Sequence, residues 1–250
     1  MILAIDIGNT RTKLGLFRDG QMVHTWNVSS SDLETAIPAC LAEVHVSESL
    51  ECGWISVGQI AEIGIFPFWT RLPYQVNLHQ ITISDPLPVK NHYATPQTLG
   101  IDRIVAVIGA RTLAPDSAVL VIDAGTALTY DVATADGIYL GGGIAPGVNM
   151  RFKALHSFTA RLPLAESETE VPLVGDSTIS SIRTGVINGM RAEISGMTDQ
   201  YHATFGDPFS VFLTGGDAHL FENHLKNLNF ADTFLTLKGI NHILTFKKPL

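Results

Sequence analysis

ILAIDIGNTRTKLGLFRDG, residues 2–20, and VLVIDAGTALTYDVATADG, residues 119–137, superpose without a gap. Ile5 falls on Ile122, Asp6 on Asp123, Gly8 on Gly125, Asn9 on Thr126 and Asp19-Gly20 on Asp136-Gly137, a constant offset of 117 positions. In each copy an apolar run stops at an aspartate, crosses a polar turn and resumes as an alternating pattern that ends in an Asp-Gly hairpin. A third strand follows each hairpin, at residues 22–28 and 138–141. Internal repetition of this kind points to duplicated supersecondary units. The fold class expected is α/β: a duplicated architecture in which each half sets a three-stranded meander before helices that alternate with strands.

Working outward, both halves change to helical patterns after their three strands. Asp32 begins a helix through about residue 45, a strand lies near 54–57, a helix near 63–70 and a strand at 75–78. Ile104, Val107, Ile108 and Arg111 mark a helix over 100–113. In the second half Ser177 or Thr178 precedes the strongest helical period of the chain: Ile179, Ile182, Val186, Met190, Ile194 and Met197. A buried strand (209–213), a helix (217–228), a short strand (233–236) and a last helix (239–246) complete the half. This predicts domains at 1–115 and 116–250, with both Asp-x-Gly turns facing the cleft between them.

One Asp-x-Gly turn is a common hairpin, but two at equivalent positions suggest chemistry. Backbone N–H groups and hydroxyls at such turns cradle phosphate oxygens, and the carboxylate holds the accompanying cation. Lys13, seven residues after Asp6, adds a positive charge whose duplicate position is Tyr130. Leu213-Thr214-Gly215-Gly216-Asp217, where a strand enters a helix, suits an adenosine or a phosphate. The glycine run 141–147 lacks the context of a dinucleotide fold and reads as a tight connection. Gly100-Ile101-Asp102-Arg103 offers a carboxylate able to take a hydroxyl proton beside an arginine able to bind an anionic group.

The ordered set Asp6-Ile7-Gly8-Asn9-Thr10, Tyr93-Ala94-Thr95-Pro96, Gly100-Ile101-Asp102-Arg103, Asp123-Ala124-Gly125-Thr126-Ala127, the glycine-rich 142–147 segment and Leu237-Lys238-Gly239 closely resembles the type III pantothenate kinases. The two turns are shared with the wider acetate-kinase, sugar-kinase, Hsp70 and actin superfamily, whereas Gly-x-Asp-Arg is particular to this family. The resemblance implies an α/β fold of two duplicated ribonuclease H-like (actin-like ATPase) domains, each a mixed sheet flanked by helices. It implies ATP-dependent phosphorylation of the pantothenate 4′-hydroxyl, the first step towards coenzyme A, by a homodimer. It implies that Asp102 is the proton acceptor and that Tyr93, Gly100, Ile101, Asp102 and Arg103 line the pantothenate site. By the same resemblance, Asp6, Ile7, Gly8, Asn9, Thr10, Arg11, Thr12 and Lys13, with Thr126, are expected to bind the ATP phosphates together with Mg2+. Asp123 matches a ligand of a monovalent cation, potassium or ammonium, and Thr178 a threonine that reaches pantothenate across the dimer interface. Ile101 and Thr95 depart from the family's usual alanine and asparagine without removing a chemical group.

Composition narrows the alternatives. Across 250 residues, 16 Lys and Arg stand against 24 Asp and Glu, a formal charge of −8, and no basic run exceeds Lys247-Lys248. Nucleic-acid binding needs clustered cations, so it is not expected. No apolar stretch reaches the ~18 residues of a membrane span, and no basic leader precedes one, so a cytoplasmic location is expected. Cys40 and Cys52 have neither zinc nor redox spacing, and the nine histidines form no metal motif. Serine-hydrolase motifs are absent. Two other readings stand beside the kinase: another small-molecule kinase of the superfamily, and a non-catalytic nucleotide-sensing regulator of the same fold.

Overall fold

The computed structural model describes residues 1–46, 49–56, 63–225 and 228–246. Two units form: Met1–Leu113 with the C-terminal segment from Leu235, and Ala114–Phe234. The first contains β1 (Ile2–Ile7), β2 (Arg11–Arg18), β3 (Gln21–Ser29), α1 (Leu33–Ala42), β4 (Ser49–Ser56), β5 (Gln75–Gln80), the two-residue β6 (Lys90–Asn91) and α2 (Ile101–Leu113). The second contains β7 (Ala118–Ala124), β8 (Ala127–Ala133), β9 (Ile138–Pro146), α3 (Val148–Ser157), α4 (Thr178–Phe205), β10 (Phe209–Thr214) and β11 (Phe230–Ala231). Helix α5 (Leu235–Phe246) returns to the first unit.

The duplication is visible in the strand order. The first sheet runs β3-β2-β1-β4-β5, and the strands of the second unit run β9-β8-β7-β10-β11. In both, the first three strands are an antiparallel meander and the outer two join parallel to the first. The pleat then sorts side chains by parity. Leu3, Ile5 and Ile7 pack with Leu33, Ile37 and Leu41 of α1, whereas Asp6 meets α5. In the second sheet Leu120, Ile122 and Ala124 face Ile182, Val186, Met190 and Ile194 of α4. Ser177 caps that 28-residue helix through a capping box with Ser180.

Helices α2 and α5 pack closely because two glycines remove the obstruction. A Cβ on Gly109 would stand 2.0 Å from the Leu235 carbonyl oxygen, and one on Gly239 would stand 2.0 Å from that of Val105. Each glycine therefore receives the backbone of the opposite helix.

Several expectations are corrected. The division is not at 115/116 with a C-terminal half continuing to the end, because α5 packs with the first unit. The helix expected at 63–70 is two 3-10 segments, Ile63–Ile65 and Pro67–Arg71, the proline starting a new turn. That expected at 217–228 is Ala218–Leu220 and Glu222–His224, where a three-residue period turns Ala218 and Phe221 inward. Lys226 and Asn227 of that prediction, and Val57 of the fourth strand, lie outside the described residues. The strand expected at 233–236 is replaced by β11 at 230–231, and Leu235 and Thr236 open α5. Glycines 141–143 are strand residues of β9, Gly142 and Gly143 lying against Tyr130 of β8. Helix α1 ends at Ala42 rather than 45.

Candidate active site

The first turn is built around Gly8. Its N–H donates to the Arg11 carbonyl at 3.1 Å, and a Cβ there would stand 2.8 Å from that oxygen, which leaves room for glycine. Ser30, at the end of the meander, donates from its hydroxyl to the Gly8 carbonyl at 2.8 Å and bonds the Thr12 hydroxyl at 2.9 Å. Asn9, Thr10 and Arg11 are exposed at the tip, whereas the Ile7 and Thr12 side chains are fully buried. Of the expected phosphate-binding stretch, those two residues can therefore present only backbone atoms.

Asp6 closes the inner side of the turn. It lies opposite Lys13 in the β1–β2 register, and Oδ2 accepts a hydrogen bond of 2.7 Å from Thr236 Oγ1. Burial pushes the carboxyl up from its ordinary value, against the opposing pull of the Thr236 hydroxyl and the Lys13 ammonium.

In the second unit the Gly125 N–H donates to the Ala127 carbonyl at 3.0 Å, as Gly8 does in the first. The connection is one residue shorter, so the register sets Thr129, not Tyr130, opposite Asp123. The duplicate of Lys13 read from the gapless offset is thus displaced. Tyr130 is buried and donates to Glu193 at 3.3 Å; burial, then the Glu193 charge, holds its phenol protonated well above the usual range. Thr126 is exposed at the tip of this turn.

Gly215 has φ +98°, and a Cβ on it would stand 2.3 Å from the Ala124 carbonyl and 2.5 Å from Asp123 Oδ1. The Asp217 N–H also donates to Ala124, at 2.9 Å. The Thr214–Asp217 glycine loop is therefore seated directly on the second turn. Burial raises the Asp217 carboxyl while His219 opposes the shift. A cavity of about 350 Å³ opens here, lined by Leu213, Gly216, His219, Glu222, Asp232 and Phe234 among others.

A third cluster occupies the start of α2. Arg103 is only 9% exposed, and its guanidinium lies 5.8 Å from the centre of the Tyr93 ring, in cation–π range. Asp102 folds back over Gly100, where a Cβ would stand 2.5 Å from its Oδ1. Tyr93, Gly100, Asp102 and Arg103 thus form one group in the first unit. Thr178 stands at the start of α4 in the second, on a cavity of about 1050 Å³ that also exposes Arg151, Ser177 and Ser181 beside Leu155, Ile182 and Val186. Sequence reasoning missed Ser30 and Thr236. A buried-strand turn flanked by serines was the signal for the first; no local signal marked the second.

Two copies of one unit, each with an Asp-x-Gly hairpin turn, and a carboxylate–arginine pair at a helix start go with a fold of the actin-like ATPase class. Solved structures agree on the fold. A conserved Baf family protein from Campylobacter jejuni, 22% identical, superposes with a TM-score of 0.60 over 98% of both chains. A protein from Sinorhizobium meliloti described as a candidate 2-dehydro-3-deoxygalactonokinase, 14% identical, gives 0.57 over 100% of both. Within that class, the family model for type III pantothenate kinase matches residues 2–200. The type III pantothenate kinase of Phocaeicola vulgatus is 42% identical over 250 residues, covering 100% of each chain. That of Flavobacterium johnsoniae is 38% identical over 247 residues, covering 99% of this chain and 98% of the relative. The chain belongs to the type III pantothenate kinase family.

Proposed function

We propose that this protein transfers the γ-phosphoryl group of ATP to the 4′-hydroxyl of pantothenate, giving 4′-phosphopantothenate for coenzyme A synthesis. The observation that carries the reading is the Tyr93–Gly100–Asp102–Arg103 group on α2, in a chain that also holds the two phosphate-type turns. Phosphoryl transfer asks for positioning and charge neutralisation more than for covalent chemistry. Asn9, Thr10, Arg11, Lys13 and Thr126, with the backbone of Asp6 to Thr12, meet the ATP phosphates. Asp102 orients the pantothenate hydroxyl and takes its proton late, as expected of a weak base. Arg103 pairs with the pantothenate carboxylate, while Tyr93, Gly100 and Ile101 shape the pocket. The glycine-loop cavity at Leu213–Asp217 accepts the adenosine.

The residues present fit the expected ions. Asp6 is a hard oxygen donor whose ionised form burial disfavours, so a divalent cation beside it is electrostatically matched. In this reading Mg2+ is held jointly by Asp6 and the ATP phosphates. Bound there, Mg2+ offsets the charge on the transferred group. Asp123 is assigned to the monovalent cation, K+ or NH4+.

A homodimer, in which Thr178 reaches the partner's pantothenate, belongs to the same reading. Phe158, Leu173 and Val174 of the second unit, 88%, 83% and 79% exposed, support it, since exposed apolar groups favour association. Sedimentation at several concentrations tests it. No helix among the described residues is long and apolar enough to cross a membrane, in keeping with a cytoplasmic location.

The deciding experiment is ADP release coupled to mass detection of 4′-phosphopantothenate, with and without K+, for wild type and Asp102→Asn. Pantothenate-dependent turnover that Asp102→Asn reduces by about 10²-fold or more is expected. No turnover in any monovalent salt would sink the assignment, and ATP binding without turnover would favour a nucleotide sensor.

A further inference from the structure

Asp6 and Thr236 are 230 positions apart, yet Thr236 Oγ1 donates to Asp6 Oδ2 at 2.7 Å. Thr236 is 6% exposed and occupies the second position of α5, so its hydroxyl is carried on a first helical turn that packing holds still. The same helix receives α2 through Gly109 and Gly239. Helix α2 bears Asp102 and Arg103 at its start. One rigid element therefore touches both the carboxylate of the first turn and the helix that presents the acceptor group.

A carboxylate on a strand has a freely turning terminal torsion, and catalysis that depends on charge placement suffers when such a group wanders. Among the described residues, Lys13 on β2 supplies the charge that acts on Asp6; β4 offers Ile55 in register, and α5 offers the Thr236 hydroxyl. A single donor from a helix thus fixes the carboxylate's rotation and leaves Oδ1 for other partners.

We propose that Thr236 is a positioning residue for phosphoryl transfer, which locks the Asp6 carboxylate in the orientation that receives the cation–phosphate assembly. The proposal rests on the assignment of Asp6 to the ATP phosphate turn. Because the Thr236 hydroxyl is bonded to Asp6, its loss is expected to act first on the nucleotide side.

The test uses the full-length protein and three variants: Thr236→Val, which keeps the shape and removes the donor, Thr236→Ser, which keeps the donor, and Asp6→Asn. Titration calorimetry with MgATP and steady-state kinetics are read together. Thr236→Val is expected to weaken MgATP binding and lower kcat by about 10- to 100-fold, with KM for pantothenate within about twofold of wild type. Thr236→Ser is expected to recover both to within about threefold. In the Asp6→Asn background the hydrogen bond can persist but the charge it orients is gone, so Thr236→Val should cost no more than about twofold further MgATP affinity. Wild-type kcat and MgATP affinity in Thr236→Val overturn the proposal, as does Thr236→Ser falling as far as Thr236→Val. If Thr236→Val does not fold, Thr236→Ala and Thr236→Cys replace it in the same comparison. Wild-type protein with no pantothenate-dependent turnover would instead overturn the kinase assignment, while the MgATP cycle would still report on Thr236.

Discussion

The Ser30 hydroxyl donates to the carbonyl oxygen of Gly8 at 2.8 Å, across 22 positions of chain. Thr12, fully buried, shares a bond with the same hydroxyl. Ser30→Ala therefore leaves a buried hydroxyl and a turn carbonyl short of partners. The expected loss is about 1–3 kcal/mol of stability, measured by urea unfolding. Kinetics should show a raised KM for ATP, because the Gly8 turn loses its brace.

Asp6 sets stability against activity. Its carboxyl is raised by burial, so the ionised form is costly in the folded state, and the cost disappears as pH falls below the folded value. Asp6→Asn removes the charge while its amide oxygen can still accept from Thr236. At pH 7 the variant is expected to melt at or above the wild-type temperature, with the gap narrowing towards pH 4, and to lose turnover by about 10²-fold or more. Calorimetry at the two pH values together with ADP release checks both halves.

Gly239 and Gly196 respond oppositely to alanine. A Cβ on Gly239 meets the Val105 carbonyl at 2.0 Å, so Gly239→Ala forces α2 and α5 apart and is expected to cost about 3 kcal/mol or more. On Gly196, in α4, a Cβ meets nothing within 4 Å, and Gly196→Ala should gain about 0.5–1 kcal/mol from helix propensity. Thermal unfolding of the two variants decides.

Cys40 and Cys52 are both free and buried, and burial raises both thiols. Thiolate, the reactive form, is suppressed in the fold. A disulfide reagent at pH 8 should label native protein slowly and both cysteines at once in denaturant. Above the ordinary thiol pKa near 8.5 the unfolded chain ionises while the buried thiols resist, so stability should fall as the solution is made more alkaline.

The parts of the molecule that repeat were legible in the sequence. The 117-residue offset located both turns, and Ser177 with the apolar period of 179–197 located α4. What escaped depended on packing across distance. Thr233 to Thr236 reads as a strand because Thr233, Phe234 and Thr236 are β-branched or aromatic, yet contact with α2 and β1 draws Leu235 and Thr236 into a helix. A gapless comparison could not show that the second turn is one residue shorter, since the change is absorbed in the register opposite Asp123. Of the site, the carboxylates, glycines and Arg103 were readable as chemistry. Ser30 and Thr236 were not, because hydroxyls gain their meaning from what they touch.

The first unit is discontinuous, closed by a helix that follows the whole of the second unit in the chain. During synthesis residues 114–234 emerge as an uninterrupted segment before α5 exists, so they can reach their native state first. Until α5 arrives, Gly109 has no backbone against it and the Asp6 carboxylate has no threonine beside it. The ribosome therefore releases a chain whose first unit is finished last, and a pause or cut just after residue 234 would leave that unit without its closing helix.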